Sequence, residues 1–283
     1  MASQRDIRRR IGSVRNIKQI TRAMQFVAAS KLKRAQDATL ASRPYSEKLD
    51  EVLADLAAVL SGDDHPLLAE REGGKRLIVL ITTDRPLSGP LNTNIVRFVA
   101  RDIIDHPGDL SVITVGRKGR DAMRRTGVPL EAHFATFGDR PTFADVLPLA
   151  RLITDAFLAN AFGRVDIVYS LWVSTLVQRP TSVTILPIPE SEDTEGIPGH
   201  QFIFEPSASA VLERLLPRYV ATRLFQAVLE AKASEESSRM VAMKNATENA
   251  EELIEDLTLS YNKVRQANIT REMIEIASGA NAR

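Results

Sequence analysis

Gly116-Arg117-Lys118-Gly119 is the stretch of this 283-residue chain that could hold an anion. It follows an apolar run and opens a helical one, and the free amides at a helix start attract negative charge. A turn with solvated basic residues accounts for it equally well. No GxxxxGK[ST] or GxGxxG follows any predicted strand, so the backbone cradle of a nucleotide phosphate is missing. His65, His106, His133 and His200 are scattered without metal-ligand spacing and read as surface histidines. There is no cysteine, which excludes disulfides, thiolate metal sites and thiol switches. Separated residues give no ground for a Ser/His/Asp constellation. The chain thus offers no catalytic, cofactor or metal site, and its function must be sought in the elements themselves.

Those elements are unusual in length. Residues 207–278 hold one proline, Pro217, and no glycine before Gly279. Positions 243, 246, 250, 253, 257, 260, 264, 267, 271 and 274 step alternately by three and four, the spacing of a seam along one side of a helix. Roughly 70 residues at about 1.5 Å each predict a rod on the order of 100 Å. Residues 3–60 read as a second long helix, with Ser3 and Asp6 as a capping box. Its seam is expected at 14, 17, 21, 24, 28, 31, 35, 38, 42, 45, 49, 52, 56 and 59, and Pro44 is expected to bend or split it. Met24, Met240 and Met243 read as seam filling. Aromatic content of 5% beside 44% hydrophobic residues also leans towards packed helices.

Between the rods the period changes. Residues 76–82 (RLIVLIT) form a continuous apolar run, the mark of a strand buried on both faces. Further strands are expected at 111–115, 130–135, 165–173 and 182–188, with an edge strand at 201–204. Helices are expected at 93–105, 118–126 and 142–161, the last capped by Thr142 with Asp145. Such alternation gives an α/β layer with mainly parallel strands. Residues 63–75 and 190–199 read as loops. The predicted plan is a coiled-coil helix over 1–62, an α/β domain over 63–206 and a coiled-coil helix over 207–283.

Each rod needs a cover for its seam, and the other rod, running antiparallel, is the nearest one. Setting Leu60 beside Ser207 puts Met24 near Met243 and Met1 near Gln266. The basic side chains from Arg5 to Arg34 then face Glu235, Glu236, Glu248, Glu251, Glu252, Glu255 and Asp256. Residues 267–283 should project past the end of the pair. Ile269, Met273, Ile274 and Ile276 lie there, so another protein is expected around them.

The segments ITRAMQFVAASKLKRAQ and ASRPY, with RMVAMKNATENAEELIEDLTLSYNKVRQANITREMIEIASGA near the other end, closely resemble the γ subunits of F-type ATP synthases. TTDRPLSGPLNTN and VGRKGRD extend the resemblance through the middle. It implies a long antiparallel two-helix coiled coil with a central Rossmann-like α/β domain. It further implies a non-catalytic rotor shaft without a cofactor of its own, standing in a ring of three α and three β subunits. The globular domain would meet ε and the membrane c-ring. Arg265 and Gln266 resemble a polar pair that contacts a β-subunit loop, and Met24 resembles a shaft residue facing the β subunit's lever region. Ile269, Met273, Ile274 and Ile276 would turn in the α/β bearing. One departure is plain: the family's glycine-rich DRGLCGG-like loop is here Asp84-Arg85-Pro86-Leu87-Ser88-Gly89-Pro90, stiffened by two prolines.

Other classes fit less well. A nucleic-acid face on the basic rod would be neutralised by the opposite acidic stretch and lacks stacking aromatics. A chromosome-type tether would need longer arms and nucleotide-binding ends. A small-molecule enzyme lacks a motif. The net charge of +1 predicts no acidic partner. No run of about 18 apolar residues marks a membrane span, and the start MASQRDIRRR lacks a secretory h-region. The seam begins at once, at Ile7 and Ile11, so this start reads as mature helix and not as a transit peptide. The expected place is the cytoplasmic face of a bacterial plasma membrane, held there peripherally.

Overall fold

The computed structural model describes residues 3–59, 65–71, 74–106, 108–188, 205 and 207–280. The expected edge strand at 201–204 and the loop at 190–199 lie outside these residues, as do Leu60 and Met1 of the register argument. Ten elements follow in order: α1 (Gln4–Val59), β1 (Arg76–Ile81), α2 (Leu91–Asp105), β2 (Leu110–Val115), α3 (Arg117–Thr126), β3 (Leu130–Phe134), α4 (Phe143–Leu158), β4 (Arg164–Trp172), β5 (Gln178–Leu186) and α5 (Ala208–Ala280). The expected fold class, an α/β sheet domain with long helices from both ends of the chain, is what is seen. Two compact units divide the chain, Ser30–Ser238 and the pairing of Met1–Ala29 with Arg239–Arg283.

In the unit Ser30–Ser238 the sheet order is β3-β2-β1-β4-β5. β1 pairs in parallel with β2 and β4, β2 pairs in parallel with β3, and β5 returns antiparallel on β4. The central strands are apolar throughout because both faces are covered. On one face Ile78, Leu80, Val112 and Val168 meet α2 and α3 through Ile95, Val99 and Met123. On the other, Val79, Ile113, Val165 and Ile167 meet α4, α1 and α5 through Val146, Phe157, Leu49, Leu56, Leu216, Val220 and Leu224. Here α1 and α5 are tied directly: Ser42 donates to Gln226 at 2.6 Å, Arg223 to Asp50 at 2.9 Å and Arg218 to Tyr45 at 3.2 Å.

Both predicted capping boxes form. Asp6 accepts from the Ser3 amide and hydroxyl at 3.3 and 2.8 Å, and Asp145 accepts from the Thr142 amide and hydroxyl at 2.8 and 2.7 Å. The helix is not split at Pro44, since α1 runs through it without interruption. Pro44 lies on an exposed face, where water can satisfy the Leu40 carbonyl that its missing N–H leaves behind. Pro217 sits likewise inside α5.

The seams differ from expectation in alternate positions. On α1 the buried or half-buried line runs 7, 11, 14, 18, 21, 25, 28, 32, 35, 39, 42, 46 and 49. Thus 14, 21, 24, 28, 31, 35, 42, 49, 52 and 56 are buried or half-buried as predicted, whereas Ile17 and Tyr45 are 52% and 49% exposed, and Lys18 and Ser46 take the neighbouring places. On α5 the line is 243, 247, 250, 254, 257, 261, 264 and 268, so Ile254 and Tyr261 replace Leu253 and Ser260. Successive residues lie about 100° apart around a helix. Two lines offset by one therefore share every second position, and the three-four spacing alone does not choose between the intermediate ones.

Candidate functional site

The second unit, Met1–Ala29 with Arg239–Arg283, carries every residue that the sequence singled out for partner contact. Its interface is narrow. Ile7, Thr21, Ala28, Met243 and Ala250 are buried, and small residues at 21, 28 and 250 let the two helices approach closely. Three side-chain contacts fix the register: Gln4 Nε2 donates to Tyr261 Oη at 3.1 Å, the Thr21 and Thr247 hydroxyls lie 2.8 Å apart, and Lys18 meets Glu251 at 2.6 Å. Each pair of numbers sums to within a few units of the predicted Met24–Met243, so the antiparallel register is as expected. The Lys18 hydrogen bond and charge hold the Glu251 carboxyl below its usual range. Facing basic and acidic blocks are thus realised at that pair, while Glu235 and Glu236 meet Lys232 of their own helix, each at 3.1 Å.

Met24 and Met240 are half-buried beside this seam, and Met243 is 5% exposed. The first helix begins opposite Tyr261, so α5 continues beyond its partner. Among the described residues Asn268 is the last half-buried one, and 269–277 are all exposed. Ile269, Met273, Ile274 and Ile276 show 48%, 65%, 59% and 74% of their surface to solvent. Arg265 and Gln266 are exposed at the end of the paired length. Sequence reasoning missed a second apolar group. Ile17, Ile20, Phe26 and Val27 of α1 are 52–62% exposed, as are Leu253 and Leu259 of α5 at 47% and 61%. Their signal in the sequence is that of apolar residues one or two steps off the seam, which spacing alone does not separate from it.

The basic turn is not an open anion site. Its helix, α3, has its first amides satisfied from within. Asp84 accepts from the Arg117 amide at 2.8 Å, the Thr83 carbonyl from Lys118 at 3.1 Å and the Thr82 hydroxyl from Gly119 at 2.8 Å. The carboxylate of Asp84 fills the place an external anion would take. It also accepts from the Thr136 amide and hydroxyl at 3.2 and 2.6 Å. Burial pushes this carboxyl up, and the bonds from Thr136 and Arg117 outweigh it, leaving it below the usual range. The crevice outside the strand ends, where doubly wound sheets take ligands, is lined by Ile81, Thr83 and Asn92 and by α5 side chains Val228, Ala231, Lys232 and Glu235.

The histidines serve the fold locally. His65 Nδ1 accepts from the Leu67 amide at 3.1 Å, His133 meets Thr114 at 3.1 Å and His106 lies 3.3 Å from Asp102. His200 lies outside the described residues. Among the described residues no three His, Asp or Glu gather as a metal group, and no helix is long and apolar enough to cross a membrane.

The family model described as ATP synthase matches residues 3–282. The ATP synthase gamma chain of Desulforamulus reducens is 46% identical over 282 residues, covering 100% of this chain and 99% of that protein. That of Roseiflexus castenholzii is 49% identical over 289 residues with the same coverage. Among solved structures, a chain of the Euglena gracilis mitochondrial ATP synthase (OSCP/F1/c-ring, rotational state 3) superposes with a TM-score of 0.70 at 22% identity, over 99% of this chain and 94% of its own. A chain of the Tetrahymena thermophila enzyme's central stalk and c-ring gives 0.62 at 24%, over 80% and 99%. These likenesses carry the fold, and the bacterial relatives carry the lineage: an α/β sheet domain between long terminal helices, matched end to end at nearly half identity, belongs to the ATP synthase γ-chain family.

Proposed function

We propose that this chain is the rotor shaft of a bacterial F1Fo ATP synthase, passing rotation of the c-ring to the catalytic β subunits for ATP synthesis, and the reverse for ATP-driven proton pumping. The observation that carries this reading is the length of α5 beyond Asn268, where four large apolar side chains stand exposed on a helix with no partner among the described residues. Such a surface wants another protein around it. Non-directional apolar contacts suit a bearing, because they resist rotation less than fixed ion pairs.

In this reading residues 1–62 and 207–283 form the shaft and 63–206 the globular foot. Three α and three β subunits surround the shaft, while ε and the c-ring meet the foot, at the cytoplasmic face of the plasma membrane. Ile269, Met273, Ile274 and Ile276 turn in the α/β bearing. Arg265 and Gln266 make polar contacts with a β-subunit loop at one angular position, and Met24 faces the β lever region. The shaft shifts each β subunit among nucleotide states only by binding those states unequally. Its two helices present different faces, with Phe26 and Val27 exposed on one and acidic residues on the other. The chemistry of ATP stays on the β subunits.

Mixing the purified chain with α and β subunits tests this. A stoichiometric complex with ATPase activity is expected, and failure to form one sinks the shaft reading. Activity from the isolated chain would revive an enzyme on the α/β domain.

A further inference from the structure

Residues 233–238 of α5 are buried at six consecutive positions, and five of the six are serine or glutamate. A helix needs about 3.6 residues for one turn, so this stretch is enclosed on every side. Apolar packing does not explain a polar helix in such a place.

The enclosure is built from backbone and charge at the carboxyl edge of the sheet. Ser234 Oγ donates to the Ser170 carbonyl of β4 at 2.7 Å. Ser170 lies past the last β1–β4 pair, Leu80 with Val168, and is paired with Pro180 of β5, which has no N–H to offer. Ser237 Oγ donates to the Thr175 carbonyl between β4 and β5 at 2.8 Å, and accepts from Gln178 at 3.3 Å. Ser238 Oγ donates to the Ser88 carbonyl between β1 and α2 at 2.7 Å. Between β3 and α4, Asp139 reaches Lys232 of α5 at 3.6 Å and Lys31 of α1 at 2.6 Å, through different oxygens.

At about 100° per residue, positions 232, 234, 237 and 238 spread over roughly 220° of the helix circumference. A helix held over more than half its girth can neither lift out nor roll in its seat. Hydrogen bonds fix direction where apolar contacts do not.

We propose that this girdle is the grip through which torque enters α5: three serine hydroxyls on one strand carbonyl and two loop carbonyls, with Asp139 pinning α1 and α5 to the same edge. The inference rests on the rotor reading. Its residues are positioning residues, remote from the chemistry of ATP. Losing three hydrogen bonds, each worth about a factor of five, shifts the balance between gripped and slipped helix by about a hundred-fold.

The test uses the complete enzyme in sealed vesicles, with ATP hydrolysis and ATP-driven proton uptake read together. Ser234→Ala, Ser237→Ala and Ser238→Ala combined should keep hydrolysis while the protons taken up per ATP fall to about a third or less. Returning the serines singly should restore that ratio in steps. A wild-type ratio in the triple variant overturns the girdle and leaves the rotor reading standing. If the triple variant does not assemble, Asp139→Asn decides, since this half-exposed carboxyl can lose its charge without unfolding the domain. A lowered ratio supports the grip and an unchanged one overturns it. Failure of the wild-type chain to give ATP-driven uptake overturns the rotor reading and the girdle with it.

Discussion

Gly116 and Asp84 show how tightly single residues set the carboxyl edge of the sheet. Gly116 has a φ of 94°, and any Cβ there would run into the Thr82 carbonyl. Gly116→Ala is therefore expected to cost about 2–4 kcal/mol, combining strain and clash, read as a lowered denaturant midpoint at unchanged slope. Asp84 gives a pH signature. Its carboxyl in the folded chain titrates below the ordinary value of 3.8, so the stability it adds is complete above that value and fades as pH falls through the folded one. Thermal melts of wild type and Asp84→Asn should differ by a constant amount at neutral pH and converge only below pH 3.8. A gap that closes nearer pH 6 would mean another group is responsible. The anion reading of the basic turn failed for this same reason: Asp84 stands 32 residues earlier in the chain, and nothing local to 116–119 announces that it returns there.

The helix pair was legible in register but only half legible in face. Direction and offset follow from where the chain enters and leaves the sheet domain and from the position of the charge blocks, and the pairs Lys18–Glu251 and Thr21–Thr247 agree with them. The faces were confused because both helices carry apolar residues on two adjoining stripes. Ile17 looks like a better seam residue than Lys18, and Leu253 looks no worse than Ile254, yet Ile17 and Leu253 face outward. The position of the candidate contact residues was legible in the same limited sense: the register exposes Arg265, Gln266 and the apolar tip, whereas what they touch is not written in one chain. Thr21→Cys with Thr247→Cys should form a disulfide on oxidation, seen as a mobility shift on a gel, because the two hydroxyls lie 2.8 Å apart and the chain has no other cysteine. Lack of a crosslink would put the register wrong. Replacing either threonine alone by valine should cost about 1 kcal/mol, and replacing both should cost less than the two together.

At the scale of the molecule, the sheet domain followed its period, down to strand boundaries within a few residues. Its mainly parallel order comes from apolar runs that only two covered faces can bury. Deleting residues 269–283 should leave thermal stability almost unchanged, within about 0.5 kcal/mol, because the described part of that stretch is exposed. The same deletion should lower the ATPase activity of the complex with α and β subunits. A large drop in melting temperature would instead mean that the tip packs within its own chain.

The outward apolar side chains Ile17, Ile20, Phe26 and Val27 have a consequence for how the protein is made. A chain synthesised without companions presents these sticky side chains to water and to its own copies. Sedimentation of the free chain should therefore show self-association that rises with concentration and vanishes once α and β subunits are supplied. Production in step with those companions would spare the cell a chain that otherwise clumps.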